Sequence, residues 1–111
     1  LREVVSQGLP ERARRLGAEI RREIESWNLP VVQGVRGLGL LLGIGLNPEM
    51  VAAPEGKTIA SVVVEALRQE GLLSVPAGPE TVRLLPPLNV SEEEIQQALA
   101  IIRRVLKTYA K

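Results

Sequence analysis

Few residues in this chain are equipped for chemistry. Its 111 residues include no Cys and no His. That excludes a thiol or imidazole nucleophile, a Ser-His-Asp triad, a disulfide scaffold and the usual zinc sites. What remains to act on a small molecule is charge, and Arg83 is the residue whose setting asks for an explanation. It lies in Thr81-Val-Arg-Leu-Leu-Pro-Pro-Leu88, with apolar residues on both sides. If Val82 and Leu84 face a core, alternation puts Arg83 on the opposite face with Thr81 and Leu85. An arginine in that setting has either a carboxylate partner or open water. Its functional use would be as an anion hook, since a planar guanidinium grips a carboxylate through two parallel hydrogen bonds.

Other motifs dissolve on inspection. Gly56-Lys57-Thr58 ahead of a helix resembles a phosphate loop, but the pattern needs Gly at position 51, which is Val51. It reads as a helix start with Lys57 in solvent. Gly39-x-x-x-Gly43 matches a membrane dimer motif only inside a segment far too short to span a bilayer. Gly37-x-Gly39 lacks the third glycine of a dinucleotide fingerprint, because position 42 is Leu42. The arginines at 12, 14, 15, 21 and 22 alternate with glutamates and read as a solvated helix face. Only Trp27 and Tyr109 are aromatic, so there is no stacking platform for bases. The net charge of +1 argues the same way, against a nucleic-acid partner.

The elements that must position Arg83 follow from periodicity. Leu1 to Gln7 reads as the last turns of a helix from upstream, stopped at Gly8. Pro10 suits the first turn of a new helix running to Trp27, with Ala13, Leu16, Ile20, Ile24 and Trp27 as its apolar stripe. Glu11–Arg15 and Arg15–Glu19 are spaced to pair on its outer face. Asn28-Leu29-Pro30 ends it. Val31 to Leu46 predicts two strands reversing at Gly37-Leu38-Gly39. The second, Leu40 to Leu46, is apolar on both faces and so is expected to be central and covered. Gly43 and Gly45 would leave room for close packing on one side.

A second helix is predicted over Lys57 to Glu70, with Ile59, Val62, Val63, Ala66 and Leu67 inward. A short strand follows at Leu72 to Val75, then a turn at Pro76 to Pro79 and a strand at Thr81 to Leu85. Ser91 and Glu94 are spaced as a capping box for the last helix, whose stripe is Ile95, Ala98, Leu99, Ile102, Val105 and Leu106. The order predicts an α+β two-layer sandwich: a small, mostly antiparallel sheet with helices on one face. No apolar run is long enough for a membrane span and no leader pattern is present, so a cytoplasmic protein without a membrane partner is expected. The single Met is Met50 and the chain begins Leu-Arg-Glu, which reads as a piece of something longer.

Val35-Arg-Gly-Leu-Gly-Leu-Leu-Leu-Gly-Ile44 resembles the Arg-Gly-x-Gly-Leu stretch of class III pyridoxal-phosphate-dependent aminotransferases. Gly71-Leu-Leu-Ser-Val-Pro-Ala-Gly-Pro79, then the Arg83 segment, then Ser91-Glu-Glu-Glu-Ile95, are similar to that family's C-terminal segment in order and spacing. Ala-Gly-Pro ahead of Val-Arg-Leu-Leu-Pro-Pro-Leu is most similar to its acetylornithine branch. The resemblance implies that residues 8–111 are the small C-terminal domain of a type I pyridoxal-phosphate fold. It also implies homodimers, with an upstream large domain as partner. It matches Arg83 to the arginine that binds the α-carboxylate of the small-molecule amino-acid substrate, in a transfer from N-acetylornithine to 2-oxoglutarate in arginine biosynthesis. Arg36 matches an arginine expected to be structural.

The cofactor, pyridoxal phosphate, would be held by the large domain. Lys57, Lys107 and Lys111 do not match its lysine, so no catalytic, cofactor-binding or metal residue is expected here, and the chain alone should be inactive. Acetylornithine, succinylornithine, ornithine and 4-aminobutyrate all remain open as substrates. Gly45 stands where the family often has Glu, and Asn89 where it usually has Val or Ile. The rival reading is a free-standing regulatory or dimerisation module that binds a small amino acid. An enzyme domain, unlike such a module, should present an apolar face where its large domain packs.

Overall fold

The computed structural model describes residues 8–38, 41–85 and 90–109. The expected helix over Leu1 to Gln7, Asn89 and Lys111 lie outside them. Helix α1 runs from Gly8 to Ser26. It thus begins two residues before Pro10, and Gly8 is helical instead of a stop. Pro10 is tolerated because the first turn's N–H groups have no partner inside the helix. Leu16, Ile20 and Ile24 are buried, with Ala13 and Trp27 partly so. Asn28 closes the helix at φ 54°, a left-handed conformation that asparagine tolerates better than most residues. Arg12 departs from the expected solvated face: it is half-buried and its guanidinium donates to the Val90 carbonyl. The outer ion pair on α1 is Arg21–Glu25, and neither pair through Arg15 forms among the described residues.

Strands β1 (Val32–Leu38) and β2 (Leu41–Leu46) form an antiparallel hairpin. Gly37 and Leu38, expected in the reversal, are still paired, with Leu42 and Leu41, and Gly39 lies outside the described residues. Asn47 ends β2: its side-chain oxygen accepts from the Glu49 N–H at 3.0 Å. Helix α2 spans Ile59–Gln69 and is capped by Thr58, whose hydroxyl accepts from the Ser61 N–H. The cap places Lys57 in the exposed loop ahead of the helix. Ala60, Val63 and Leu67 are its buried residues, with Ile59, Val62 and Ala66 on the flank.

Strand β3 is Ser74–Pro76, two residues later than Leu72, and β4 is Thr81–Leu84. They form the second hairpin, closed by the Ala77 N–H donating to the Thr81 carbonyl at 2.8 Å. Gly78 in the loop has φ 111°, which only glycine adopts at little cost. Helix α3 runs from Glu92 to Lys107 with the expected Ser91/Glu94 capping box.

The two hairpins join through an antiparallel β2–β4 pairing, giving the sheet order β1-β2-β4-β3. Helix α1 packs on β1 and β2, α2 packs on β3 and β4, and α3 packs against both other helices. One core results. Val35, Leu42, Ile44, Leu46, Val82 and Leu84 point into it from the sheet. The architecture is the predicted α+β sandwich. β2 is central as expected, but the described residues cover it on one face only.

Candidate functional site

Alternation along the strands sorts the other face. It presents Gly34 and Arg36 from β1, Gly43 and Gly45 from β2, Thr81 and Arg83 from β4, and Val75 from β3. No described helix covers it. Arg36 pairs with Gly43, Gly43 with Arg83, and Arg83 with Val75, so one residue from each strand stands in a single row. Two strand spacings separate the arginines, about 10 Å between their backbones. Between them stands Gly43, with no side chain of its own; a Cβ there would come within 3.0 Å of the Thr81 Cγ2. That methyl is what packs closely on the glycine.

Arg36 and Arg83 are the sole charged residues in the four strands. Both are exposed, and neither guanidinium has a hydrogen bond or ion pair with another described residue. Of the two options for Arg83, carboxylate or water, the described residues provide no carboxylate. No contact here supports a structural role for Arg36. The other charged pairs lie on the helical layer: Glu65–Arg68 and Arg104–Glu70, the latter joining α2 to α3 at 2.8 Å. The Arg68 guanidinium holds the exposed Glu65 carboxyl below its usual range by hydrogen bonding to it.

Sequence reasoning identified Arg83 and its face. It did not identify the alignment with Arg36, because that depends on the register between β2 and β4, strands far apart in sequence. Lys57 is exposed in the loop before α2, and Lys107 is exposed in the last turn of α3. Neither stands in the arginine row. Among the described residues no cluster of His, Cys, Asp or Glu could hold a metal ion, and no helix is long and apolar enough to cross a membrane.

A groove of about 280 Å³ opens at the other end of β3 and β4, lined by Leu73, Leu85, Val90, Ile95 and Leu99 among others. Leu73, Val75 and Leu85 are the exposed large apolar side chains of the described residues. The groove's carboxylate, Glu94, is engaged in the capping box. Its walls therefore offer apolar contact and no free chemical group.

The family model for class III aminotransferases matches residues 1–106. An acetylornithine aminotransferase from Mycobacterium leprae is 40% identical over 106 residues, covering 96% of this chain and 24% of the relative. An ornithine aminotransferase from Staphylococcus carnosus is 37% identical over 97 residues, covering 87% of this chain and 22% of the relative. The solved acetylornithine aminotransferase of Elizabethkingia anophelis superposes with a TM-score of 0.78 at 33% identity. It covers 95% of this chain and 27% of that one. The chain thus spans about a quarter of the length of the curated relatives it matches.

Proposed function

The chain belongs to the class III aminotransferases, and from that premise we propose that it is the small C-terminal domain that holds the substrate's α-carboxylate in an acetylornithine-type enzyme. The observation that carries this is Arg83: an exposed guanidinium with no partner among the described residues, in the row of the sheet face that no described helix covers, on a surface flattened by glycines. The family implies pyridoxal phosphate in the whole enzyme, where it supplies the electron sink for amino-group exchange. The described residues of this chain do not fit a cofactor cradle, since both described lysines lie off this face, exposed to solvent. The cofactor's holders are accordingly assigned to an upstream large domain. The chain alone is then inactive, and the complete enzyme works as a cytoplasmic homodimer in arginine biosynthesis.

In this reading Arg83 grips the α-carboxylate bidentately, first of N-acetylornithine and then of 2-oxoglutarate. Two parallel hydrogen bonds fix the plane of the carboxylate and with it the direction of the substrate chain that carries the exchanging carbon: the α-carbon in 2-oxoglutarate, and the distal carbon with the free amine in N-acetylornithine, whose α-amine is acetylated. Both substrates have that carboxylate, so one arginine serves both half-reactions. The assignment to N-acetylornithine rests on similarity to relatives of that name, and ornithine is the competing donor.

The test is glutamate formation by the full-length enzyme from N-acetylornithine and 2-oxoglutarate. Arg83→Ala should cost on the order of 2–5 kcal/mol in kcat/KM for both substrates, because it removes one partner of a desolvated charge pair. Arg83→Lys should recover part of it, since charge returns without the fork. A wild-type kcat/KM in Arg83→Ala would overturn the reading. Faster exchange with ornithine would move the enzyme to that branch. A well-folded full-length protein that exchanges no amino group would leave the amino-acid-binding module to be tested.

A further inference from the structure

We propose that Arg36 binds a carboxylate side chain on the upstream large domain, the remaining length that this chain's relatives possess, and that this ion pair sets how that domain seats over Arg83. The inference rests on the reading above, in which residues outside this chain complete the site. Three observations lead to it. The four strands hold two charges, both arginine, and register places them in one row. The strands contain no Asp or Glu, so the face has positive charge with no counter-charge of its own. The neighbouring positions Gly34, Gly43 and Gly45 have no side chains to hold a covering surface away. Addition of a Cβ at Gly34 would meet nothing within 4 Å.

A surface that closes on so flat a face strips water from both guanidiniums, and an unpaired cation left there is costly. Arg83 receives the substrate's α-carboxylate. Arg36, about 10 Å away across Gly43, needs an anion of its own. A second carboxylate of the substrate serves poorly, because N-acetylornithine has one carboxylate and 2-oxoglutarate has two. An arginine dedicated to the second would stand unpaired through half of every cycle. A protein carboxylate is present in both halves and fits the guanidinium fork bidentately. Arg36 is thus a positioning residue, acting on the substrate through the seating of the covering surface.

The test uses the full-length holoenzyme and follows each half-reaction separately. Arg36→Gln should lower kcat/KM by about tenfold or more, by the same factor with N-acetylornithine and with 2-oxoglutarate. Arg36→Lys should restore most of it, because the charge is kept. The melting midpoint reads the ion pair without turnover: Arg36→Gln should lower it and Arg36→Lys should not. A loss confined to 2-oxoglutarate would overturn the proposal and give Arg36 the substrate's second carboxylate. Unchanged rates and midpoint would also overturn it, leaving Arg36 in solvent. A wild-type enzyme with no amino exchange would instead count against the reading of Arg83, while the midpoints would still decide on Arg36.

Discussion

The two faces of the sheet are made from the same strands and obey different rules. On the covered face, Val35, Leu42, Ile44, Leu46, Val82 and Leu84 are all apolar and nearly inaccessible. On the other face the sheet offers Gly34, Gly43, Gly45, Thr81, Val75 and two arginines. Burial of apolar surface explains the first set completely, since each side chain removes area from water. It explains nothing about the second. A face that existed only to be wet would favour β-branched and charged residues of both signs, which strengthen strands and keep edges soluble. Three glycines and a single sign of charge weaken the strands locally without helping solubility. The contrast assigns stability to one face and recognition to the other.

The covered face is most sensitive at Ile44. It is 2% exposed at the centre of β2, paired with Val35 and Val82. Ile44→Ala should lower unfolding free energy by about 2–5 kcal/mol, from lost transfer energy and the cavity left behind. Urea denaturation would measure it, with an unchanged slope showing that the folded state is intact. A loss under about 1 kcal/mol would mean that the covered face does not carry the stability assigned to it.

Ser74 sharpens the same point by being the exception. It stands on the covered face, opposite Leu84, and its buried hydroxyl has no hydrogen-bond partner. A buried unpaired hydroxyl costs roughly 1–3 kcal/mol. Ser74→Ala should therefore leave stability unchanged or raise it by about 1 kcal/mol, where a polar-to-apolar change on a satisfied site would lower it. A clear loss in the same denaturation experiment would show that Ser74 has a partner once the chain is in solution.

Much of the covered half was legible in the sequence because it is built from local signals. The stripes of α1 and α3, the Ser91/Glu94 box and the inward Val82 and Leu84 are each set by residues a few positions apart. What escaped was nonlocal or backbone-driven. Ala60 is fully buried, yet its small side chain gives little periodic signal beside Ile59 and Val62. The start of α1 moved to Gly8 because a proline in the first turn does not mark the first residue. The start of β3 moved to Ser74 because Leu72 and Leu73 have strand-like composition but no pairing partner. The open face was half legible: alternation around Arg83 gave its direction, and only the β2–β4 register brought Arg36 into its row.

The finest separation between the faces lies within the open one, at two glycines of β2. Neither has a positive φ, so alanine fits the backbone at both. At Gly45 an added Cβ would lie 3.6 Å from the Gly34 carbonyl oxygen, an ordinary contact. At Gly43 it would lie 3.0 Å from the Thr81 methyl, which must give way. Gly45→Ala should therefore change stability by less than about 0.5 kcal/mol, the strand's gain from losing glycine entropy offsetting minor crowding. Gly43→Ala should cost about 1 kcal/mol more, from displacing that methyl. The difference should vanish in a Thr81→Ser background, which removes the methyl and keeps the hydroxyl. If Gly43→Ala is tolerated like Gly45→Ala with Thr81 in place, the packing of Thr81 is not what confines Gly43. The bare position between the two arginines would then be kept open by what binds there.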